Sequence, residues 1–166
     1  MADVLQEAAV APNAIDRLIV TVGPGSFMGV RVGISFAKGF AMAHGASLVP
    51  ITTLEALWLT VPQGTSGFSL IDAKRGQVYV QGFGTAAGDP ALLGYEAAKA
   101  LTEDTGLTLV GNGVSALHPE RDDPATHRPN ITKILRVAAD RAEAAVEPVY
   151  LRAPDAAPAK RPVAHP

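Results

Sequence analysis

Residues 21–44, TVGPGSFMGVRVGISFAKGFAMAH, contain the transition that decides the fold. A short apolar strand runs into the turn Gly23-Pro24-Gly25-Ser26, and a long helix is predicted to leave that turn. Gly25 is expected to supply the backbone freedom that a sharp strand-to-helix turn requires. Ser26 is expected to be the N-cap of the helix, because its hydroxyl can accept a hydrogen bond from a free N–H of the first turn.

The predicted helix is apolar on most of its sides. Spaced four apart, the small residues are Gly29, Gly33, Ala37 and Ala41, the bulky ones are Met28, Val32, Phe36 and Phe40, and a third apolar row holds Val30 and Ile34. Only Arg31, Lys38 and His44 can carry a charge. A surface helix normally has one apolar stripe and a polar back. This helix is therefore expected to be buried on two sides, against the chain's own sheet and against another helix of this chain or of a partner.

The composition narrows the class of protein. With 166 residues, 48% of them hydrophobic, the chain is long enough for one domain or two small lobes with a folded core. The net charge of −2 gives no electrostatic reason to expect direct nucleic-acid binding. The absence of cysteine excludes disulfides, cysteine-ligated zinc and a thiol nucleophile, and it fits a cytoplasmic protein. Neither a membrane span nor a secretory signal is predicted.

Strands alternate with helices along the chain. Strands are predicted at residues 16–22, 46–51, 68–73, 77–83 and 107–110, with an extended segment at 148–151. Helices are predicted at residues 1–10, 26–44, 52–61, 95–103 and 131–145. Thr52 and Glu55 have the spacing of a capping box, Gly45 suits a helix C-cap, and Gly76 suits the tip of a hairpin. This alternation indicates an α/β fold with a mixed sheet.

A linker of proline and glycine residues at 62–67 suggests where the chain divides. Residues 1–61 are expected to form a first lobe that contains the long helix, and residues 62–151 a second lobe. Residues 152–166 are expected to be a solvated, proline-rich tail. The side chains predicted to face inward on the helix at 131–145 are Ile131, Ile134, Leu135, Ala138 and Ala142.

The turn before the long helix could bind phosphate, because a helix N-terminus presents free N–H groups and a positive dipole end. Its spacing differs from that of a P-loop, since Gly29 is followed by Val30 and Arg31, and a dinucleotide fingerprint needs glycine where Met28 stands. A tight strand-to-helix turn explains the same residues. Ser26 is outside any Gly-x-Ser-x-Gly nucleophile elbow, so the N-cap is the simpler interpretation.

Three other groups have both a functional and a structural interpretation. His118 and His127 flank an acidic, proline-bounded loop, but no two histidines have metal-pair spacing on a rigid element, so a solvated loop is preferred. The charged hairpin tip at 72–75 could meet an acidic or phosphorylated partner, although a solvated turn explains it. The segment GNG at 111–113 could approach a ligand, although a turn explains it. The residues alone thus favour an interaction module over an enzyme.

Residues 23–33, GPGSFMGVRVG, closely resemble the GPGSFTGLRIG signature of the TsaB (YeaZ) family. The resemblance continues in order through AKG at 37–39, TLEAL at 53–57, DAKRGQVY at 72–79 and PVYLR at 148–152. Because several separate blocks occur in the right order and span most of the chain, the resemblance is far more specific than one glycine-rich turn.

The resemblance implies the actin/Hsp70-like (ASKHA, RNase H-like) fold in two lobes. It also implies work with TsaD and TsaE in installing threonylcarbamoyl on the adenosine beside the anticodon of tRNAs that read ANN codons. TsaD would carry the metal and perform the transfer, and ATP or ADP is expected on the TsaD and TsaE partners. This chain would then be a non-catalytic scaffold without cofactor or metal, in contact with tRNA only through the complex.

The same resemblance implies that the long helix packs against the equivalent helix of its partner. The predicted partner-interface residues are Ser26, Phe27, Gly29, Val30, Arg31, Gly33, Ile34, Ala37, Phe40 and Ala41. Members of the family that the chain resembles can also self-associate, so self-association of this chain is a further expectation.

Two departures from the family pattern stand out. Met28 replaces the usual threonine, which is a mild change because methionine is flexible. Family members also begin with a strand and a β-meander before the helix that residues 1–10 resemble. We therefore expect an N-terminally truncated fold with an exposed strand edge near residues 18–22. Two alternatives stay open: a nucleotide-binding enzyme or metallopeptidase-like protein of the same superfold, and a homodimeric binding module.

Overall fold

The computed structural model describes residues 1–103 and 106–152, so nearly all of the tail predicted at 152–166 lies outside the described residues. The helices are α1 (Ala2–Glu7), α2 (Phe27–His44), α3 (Thr53–Trp58), α4 (Tyr95–Thr102), α5 (Val114–Leu117) and α6 (Ile131–Ala139). The strands are β1 (Arg17–Thr21), β2 (Ser47–Ile51), β3 (Gly67–Lys74), β4 (Gln77–Phe83), β5 (Ala91–Gly94) and β6 (Thr108–Val110). Short 3-10 turns lie at Pro12–Ala14, Gly84–Ala86, Pro119–Arg121 and Pro124–His127. The prediction of an α/β fold is confirmed.

The long helix α2 connects two parallel strands, β1 and β2, which pair with each other along their full length. Both predicted caps of α2 are confirmed. The hydroxyl of Ser26 accepts a hydrogen bond from the backbone N–H of Gly29 at 3.3 Å. Gly45 ends the helix in the left-handed conformation, with φ of +76°. The sequence therefore determines both ends of the helix locally.

The remaining four strands form a separate sheet in the order β5-β4-β3-β6, which is mixed, as expected. The hairpin β3–β4 is antiparallel, as predicted, and β6 runs parallel to β3. Gly76 has φ of +72° at the hairpin tip, as predicted. The strand β5 was not predicted, because its four residues are too few to give a periodic pattern.

Helices cover both faces of the mixed sheet. The larger cluster, on the side of α4 and α5, consists of Phe68, Leu70, Val78, Val80, Ala98, Leu109, Val114 and Leu117. On the other face, Leu54 of α3 packs against Ala73 and Tyr79. Thr52 is the N-cap of α3, as predicted, and accepts a hydrogen bond from the backbone N–H of Glu55 at 3.0 Å. The carboxylate of Glu55 instead pairs with an arginine that follows α6.

The C-terminal part of the described chain returns to the first sheet. Ile134 of α6 packs with Ile51 and Ala56, and Val146 joins the cluster beneath α2. The lobe predicted at residues 62–151 therefore contains the mixed sheet, while its last segment packs beside β1 and β2. The C-terminal end of the described chain thus contributes to the surroundings of α2.

The helix predicted at 131–145 ends at Ala139, and its buried residues are Ile134 and Ala138. Three residues that were predicted to face inward are exposed, namely Ile131, Leu135 and Ala142. Their exposure corrects the prediction, because a helix of this length rests on the core through one row of side chains spaced by four.

A side chain from β1 explains where α6 ends. The guanidinium of Arg17 donates hydrogen bonds to the carbonyls of Ala138 at 3.1 Å and Arg141 at 2.9 Å, and also to that of Ala139. The last carbonyls of a helix lack partners within the helix, so a cation that bonds to them also complements the negative end of the helix dipole.

We expect Arg17→Ala to lower the free energy of unfolding by about 1–3 kcal/mol, because it removes several charge-assisted hydrogen bonds at one place. Urea denaturation followed by circular dichroism measures the change. Arg128→Ala removes an exposed arginine and is expected to change the stability by less than about 0.5 kcal/mol. Equal effects of the two substitutions would contradict the role of Arg17.

Candidate partner-binding site

The turn that starts α2 is held by the C-terminal segment. Gly23 has φ of +100°, and a Cβ atom there would lie 2.8 Å from the carbonyl oxygen of Val149. The backbone N–H of Val149 donates to the carbonyl of Val22 at 2.7 Å. Gly23 is therefore the position that requires glycine, both for its backbone conformation and for this close approach. This corrects the expectation for Gly25, whose φ is not positive.

One side of α2 packs on the chain's own first sheet. Ile34 and Ala37 are buried there, 6% and 5% exposed, against Val20 and Val22. Val30 is half-buried at the edge of the same cluster. Ile34 and Ala37 belong to the predicted partner interface, and their side chains are buried within the chain itself.

The opposite side of α2 is open. Eight exposed residues without an ionisable side chain form it, and we call them the outer face: Met28, Gly29, Val32, Ser35, Phe36, Gly39, Met42 and Ala43. The exposed fractions of its bulky side chains are 66% for Met28, 62% for Val32, 51% for Phe36 and 88% for Met42. A monomer normally places polar side chains at such positions. Contiguous exposed apolar surface of this kind is typical of contacts with another protein.

Two glycines of α2 have no packing reason within the part of the chain that the structure describes. A Cβ atom added to Gly33 or to Gly39 would meet no heavy atom within 4 Å. Glycine inside a helix costs about 1 kcal/mol relative to alanine, because more backbone entropy is lost on folding. Among residues 1–103 and 106–152, the two glycines therefore weaken the helix without improving any contact.

Arg31 is held in place at the border of the outer face. Its Nε–H donates to the hydroxyl of Tyr150 at 2.8 Å. Its guanidinium carbon lies 3.9 Å from the ring centre of Phe27 and 5.7 Å from that of Tyr150. The two rings are themselves 5.2 Å apart. An exposed arginine with these three contacts is restricted to few rotamers, and cation–π attraction stabilises the arrangement.

The structure separates the ten predicted interface residues into three groups. Ser26, Gly29 and Arg31 are exposed, Phe27, Val30, Gly33, Phe40 and Ala41 are half-buried, and Ile34 and Ala37 are buried. The bulky apolar side chains of the outer face, Met28, Val32, Phe36 and Met42, were absent from the prediction. The helical period could have identified Val32 and Phe36, since a turn of about 100° per residue places these two positions opposite Ile34.

A cleft of about 530 Å³ lies between the start of α2 and the hairpin β3–β4. Its walls are residues 24–27, 71–74 and 149–152 together with Tyr79. The charged groups of the wall are bonded within the chain. Asp72 accepts from the side-chain ammonium of Lys74 at 2.6 Å, and Arg152 donates to the side-chain oxygen of Gln77 at 2.6 Å.

The hairpin tip contains a polar cluster centred on Asp72. Its carboxylate also accepts from the backbone N–H of Lys74 at 2.8 Å and from the hydroxyl of Tyr95 at 3.2 Å. Partial burial by itself would raise the pKa of Asp72, but the hydrogen bonds from Lys74 and Tyr95 outweigh it and hold the pKa below its ordinary value. The charged tip is thus a structural turn, in agreement with the simpler of the two interpretations.

The two histidines considered as metal ligands are occupied by other contacts. His118 is buried, and its Nε2 lies 2.7 Å from the hydroxyl of Thr102. His127 lies 2.7 Å from a carboxylate oxygen of Asp122. Within residues 1–103 and 106–152, no three histidine, aspartate or glutamate side chains are grouped as metal ligands would be.

Comparison with known proteins gives consistent matches. A family model described as "TsaD: tRNA N6-adenosine threonylcarbamoyltransferase" matches residues 1–111. The tRNA threonylcarbamoyladenosine biosynthesis protein TsaB of Bacillus subtilis is 35% identical over 79 residues, which are 45% of this chain and 33% of that protein. The tRNA N6-adenosine threonylcarbamoyltransferase of Thermomicrobium roseum is 42% identical over 62 residues, 35% of this chain and 17% of that protein.

Among solved structures, a protein from Pseudomonas aeruginosa described as uncharacterized with similarity to peptidase YEAZ has a TM-score of 0.65 and 26% identity. The match covers 91% of this chain and 80% of that one. The chain spans about a third of the length of the curated TsaB relative from Bacillus subtilis. In the part of the chain that the structure describes, no helix combines the length and hydropathy needed to cross a bilayer.

We expect Gly33→Ala and Gly39→Ala each to raise the free energy of unfolding of the isolated chain by about 0.5–1 kcal/mol, since the added methyl groups meet open space. Thermal and urea denaturation measure the effect. Gly23→Ala is the matched control and is expected to destabilise the chain, because its Cβ would clash with Val149. Destabilisation by Gly39→Ala would show that the outer face is covered within the chain.

We expect the stabilising contribution of Asp72 to disappear in acid. The pKa of Asp72 in the folded chain lies below its ordinary value of 3.8. The contribution is therefore complete above pH 3.8 and is lost as the pH falls through the lower folded value. The difference in unfolding free energy between the native chain and Asp72→Asn should shrink in urea titrations as the pH falls below 3.8. A difference that does not change with pH would contradict the role of this carboxylate.

Proposed function

The chain belongs to the protein family described by the TsaD model and, within it, to TsaB (YeaZ), and from this membership we propose that it is a non-catalytic subunit that binds TsaD through the outer face of α2. In this proposal TsaD, with TsaE, transfers threonylcarbamoyl to the adenosine of tRNAs that read ANN codons in the cytoplasm. The observation that carries the proposal is the exposed, uncharged outer face of a helix that is 18 residues long.

The fold of the family supports a helix-to-helix contact. The likeness to solved YeaZ structures confirms the predicted actin/Hsp70-like α/β fold. Because the TsaD model matches residues 1–111, which include α2, a TsaD partner would present an equivalent helix. Two related proteins can then associate through the same element, each covering the apolar side that the other leaves open.

The residues of the outer face suit close packing of two helices. Val32 and Phe36 are one turn apart and form a ridge, and Gly39 lies beside them. Helices pack with their axes about 8–10 Å apart, and the shorter distances require small residues at the contact. Gly39 would allow a partner helix to approach α2 closely. No part of the described chain occupies that space.

The proposal assigns the chemistry to the partners. The candidate reactive groups of this chain have structural contacts: Ser26 caps α2, His118 bonds to Thr102, and Asp72 bonds to Lys74. None of these contacts joins a nucleophile to a general base beside a cleft. We therefore place the metal and the ATP or ADP on TsaD and TsaE, and assign to this chain the role of holding TsaD in its working form.

A second copy of this chain is the competing occupant of the outer face. The surface is apolar, and two copies related by a twofold axis could cover one another's α2. The two occupants exclude each other, because both need the same residues. An experiment that measures self-association together with TsaD binding distinguishes them.

We expect Val32→Asp to weaken TsaD binding by about 10- to 100-fold, because a carboxylate would be buried without a partner at the centre of the interface. Val4→Asp is the matched control, since Val4 of α1 has the same side chain and is 63% exposed. Titration calorimetry with purified TsaD measures the affinity, and threonylcarbamoylation of tRNA by the mixture with TsaE gives a second readout. Sedimentation of the chain alone measures self-association.

Gly39→Leu is a second variant, and a loss of TsaD binding by this variant could not be explained by a folding defect. Leucine forms helices better than glycine, and its side chain would enter open space, so the variant should be at least as stable as the native chain. The proposal predicts a loss of TsaD binding from this variant as well. Full TsaD binding by both variants, or no binding by the native chain, would overturn the proposal.

A further inference from the structure

Basic side chains lie at the border of the outer face of α2, and the inference drawn from them rests on the proposed function. Arg31 uses only its Nε for the bond to Tyr150, while the rings of Phe27 and Tyr150 limit its movement. Within the described residues, its two terminal nitrogens make no hydrogen bond, and no carboxylate lies within salt-bridge distance of Arg31. A guanidinium in this state can still donate a pair of parallel hydrogen bonds.

Lys38 lies on the same flank of the helix as Arg31. The two residues are seven positions apart, which is two turns and about 10 Å along the axis. Both are exposed, and both lie between the buried side of α2 and the outer face. The outer face is therefore an apolar surface with a basic border on one side.

No acidic residue occurs anywhere in α2, whose sequence is FMGVRVGISFAKGFAMAH. A second copy that packed its α2 on this one would bring only basic or neutral side chains of that helix to the border. In an antiparallel pair about a twofold axis, like borders adjoin and the cations repel one another. In a parallel pair, Arg31 would meet the flank that ends at His44, which also has no carboxylate. Charge complementarity thus disfavours a second copy.

We propose that the helix which covers the outer face belongs to a different protein and carries a carboxylate opposite Arg31, and that this pair selects TsaD over a second copy of the chain. The arrangement requires an apolar ridge on the partner helix, with Asp or Glu on the side next to Arg31. Lys38 favours a second acidic residue two turns away. Preorganisation by Phe27 and Tyr150 lowers the entropy lost when the pair forms.

The experiment measures TsaD binding and self-association for the native chain and four variants at two salt concentrations. Arg31→Glu reverses the charge, and we expect TsaD binding about 10- to 100-fold weaker, because two carboxylates would meet at a desolvated border. Arg31→Lys keeps the charge but loses the bidentate geometry, so an intermediate loss is expected. Tyr150→Phe removes the hydroxyl that positions Arg31 and should cost less. Arg128→Glu is the control with the same charge change at another exposed site.

Two further readouts separate a partner contact from a structural role. The affinity of the native chain for TsaD should fall with salt more steeply than that of Arg31→Glu, because the attraction is screened. Single Asp→Arg or Glu→Arg substitutions on the contacting TsaD helix should include one that restores binding to Arg31→Glu. Self-association should not be weakened by Arg31→Glu, since that change removes a repulsion between copies.

The results separate the two proposals. If the native chain binds TsaD and Arg31→Glu binds it equally well, the carboxylate proposal is overturned and the outer-face proposal stands. If the native chain fails to bind TsaD, both are overturned. Tighter self-association than TsaD binding, weakened by Arg31→Glu, would overturn the selection of TsaD.

Discussion

The contact of Ile34 and Ala37 with the β1–β2 sheet is the constraint on which the proposed interface depends. The two side chains lie one turn apart and pack on Val20 and Val22. A helix turns by about 100° per residue, so fixing these positions also fixes the direction of every other side chain of α2. This contact turns the row of bulky apolar residues of α2 toward solvent. The outer face is apolar for that reason.

The same contact explains why α2 is exposed on one side although its sequence is apolar nearly all round. A two-stranded sheet is marginal by itself and needs covering elements. Here α2 covers part of the β1–β2 sheet, while Ile134 of α6 and Val146 cover more of it. The sheet is narrow, so only a narrow row of α2 can be buried on it. The remaining apolar surface of the helix is available to another protein.

The sequence predicted the elements well where a local rule determines them. Ser26, Gly45 and Thr52 cap their helices as expected, since a cap depends on neighbouring residues alone. Predictions failed where distant contacts decide. Arg17 determines the end of α6 from more than a hundred residues away, and Val149 explains why Gly23 rather than Gly25 must be glycine. Neither contact produces a periodic pattern in the sequence from which it could be predicted.

For the site, the sequence identified the helix but not its orientation. The rows of residues spaced by four along α2 could be seen in the sequence. Deciding which row faces a partner required knowing that Ile34 faces the sheet. Tyr150 adds a further long-range contact, because the segment that bonds through Val149 to Val22, directly after β1, also holds Arg31. The C-terminal segment therefore closes the core beneath α2 and positions the cation beside its outer face. Any change that displaces this segment should alter both, and so the affinity and the selectivity of the proposed interface are physically linked.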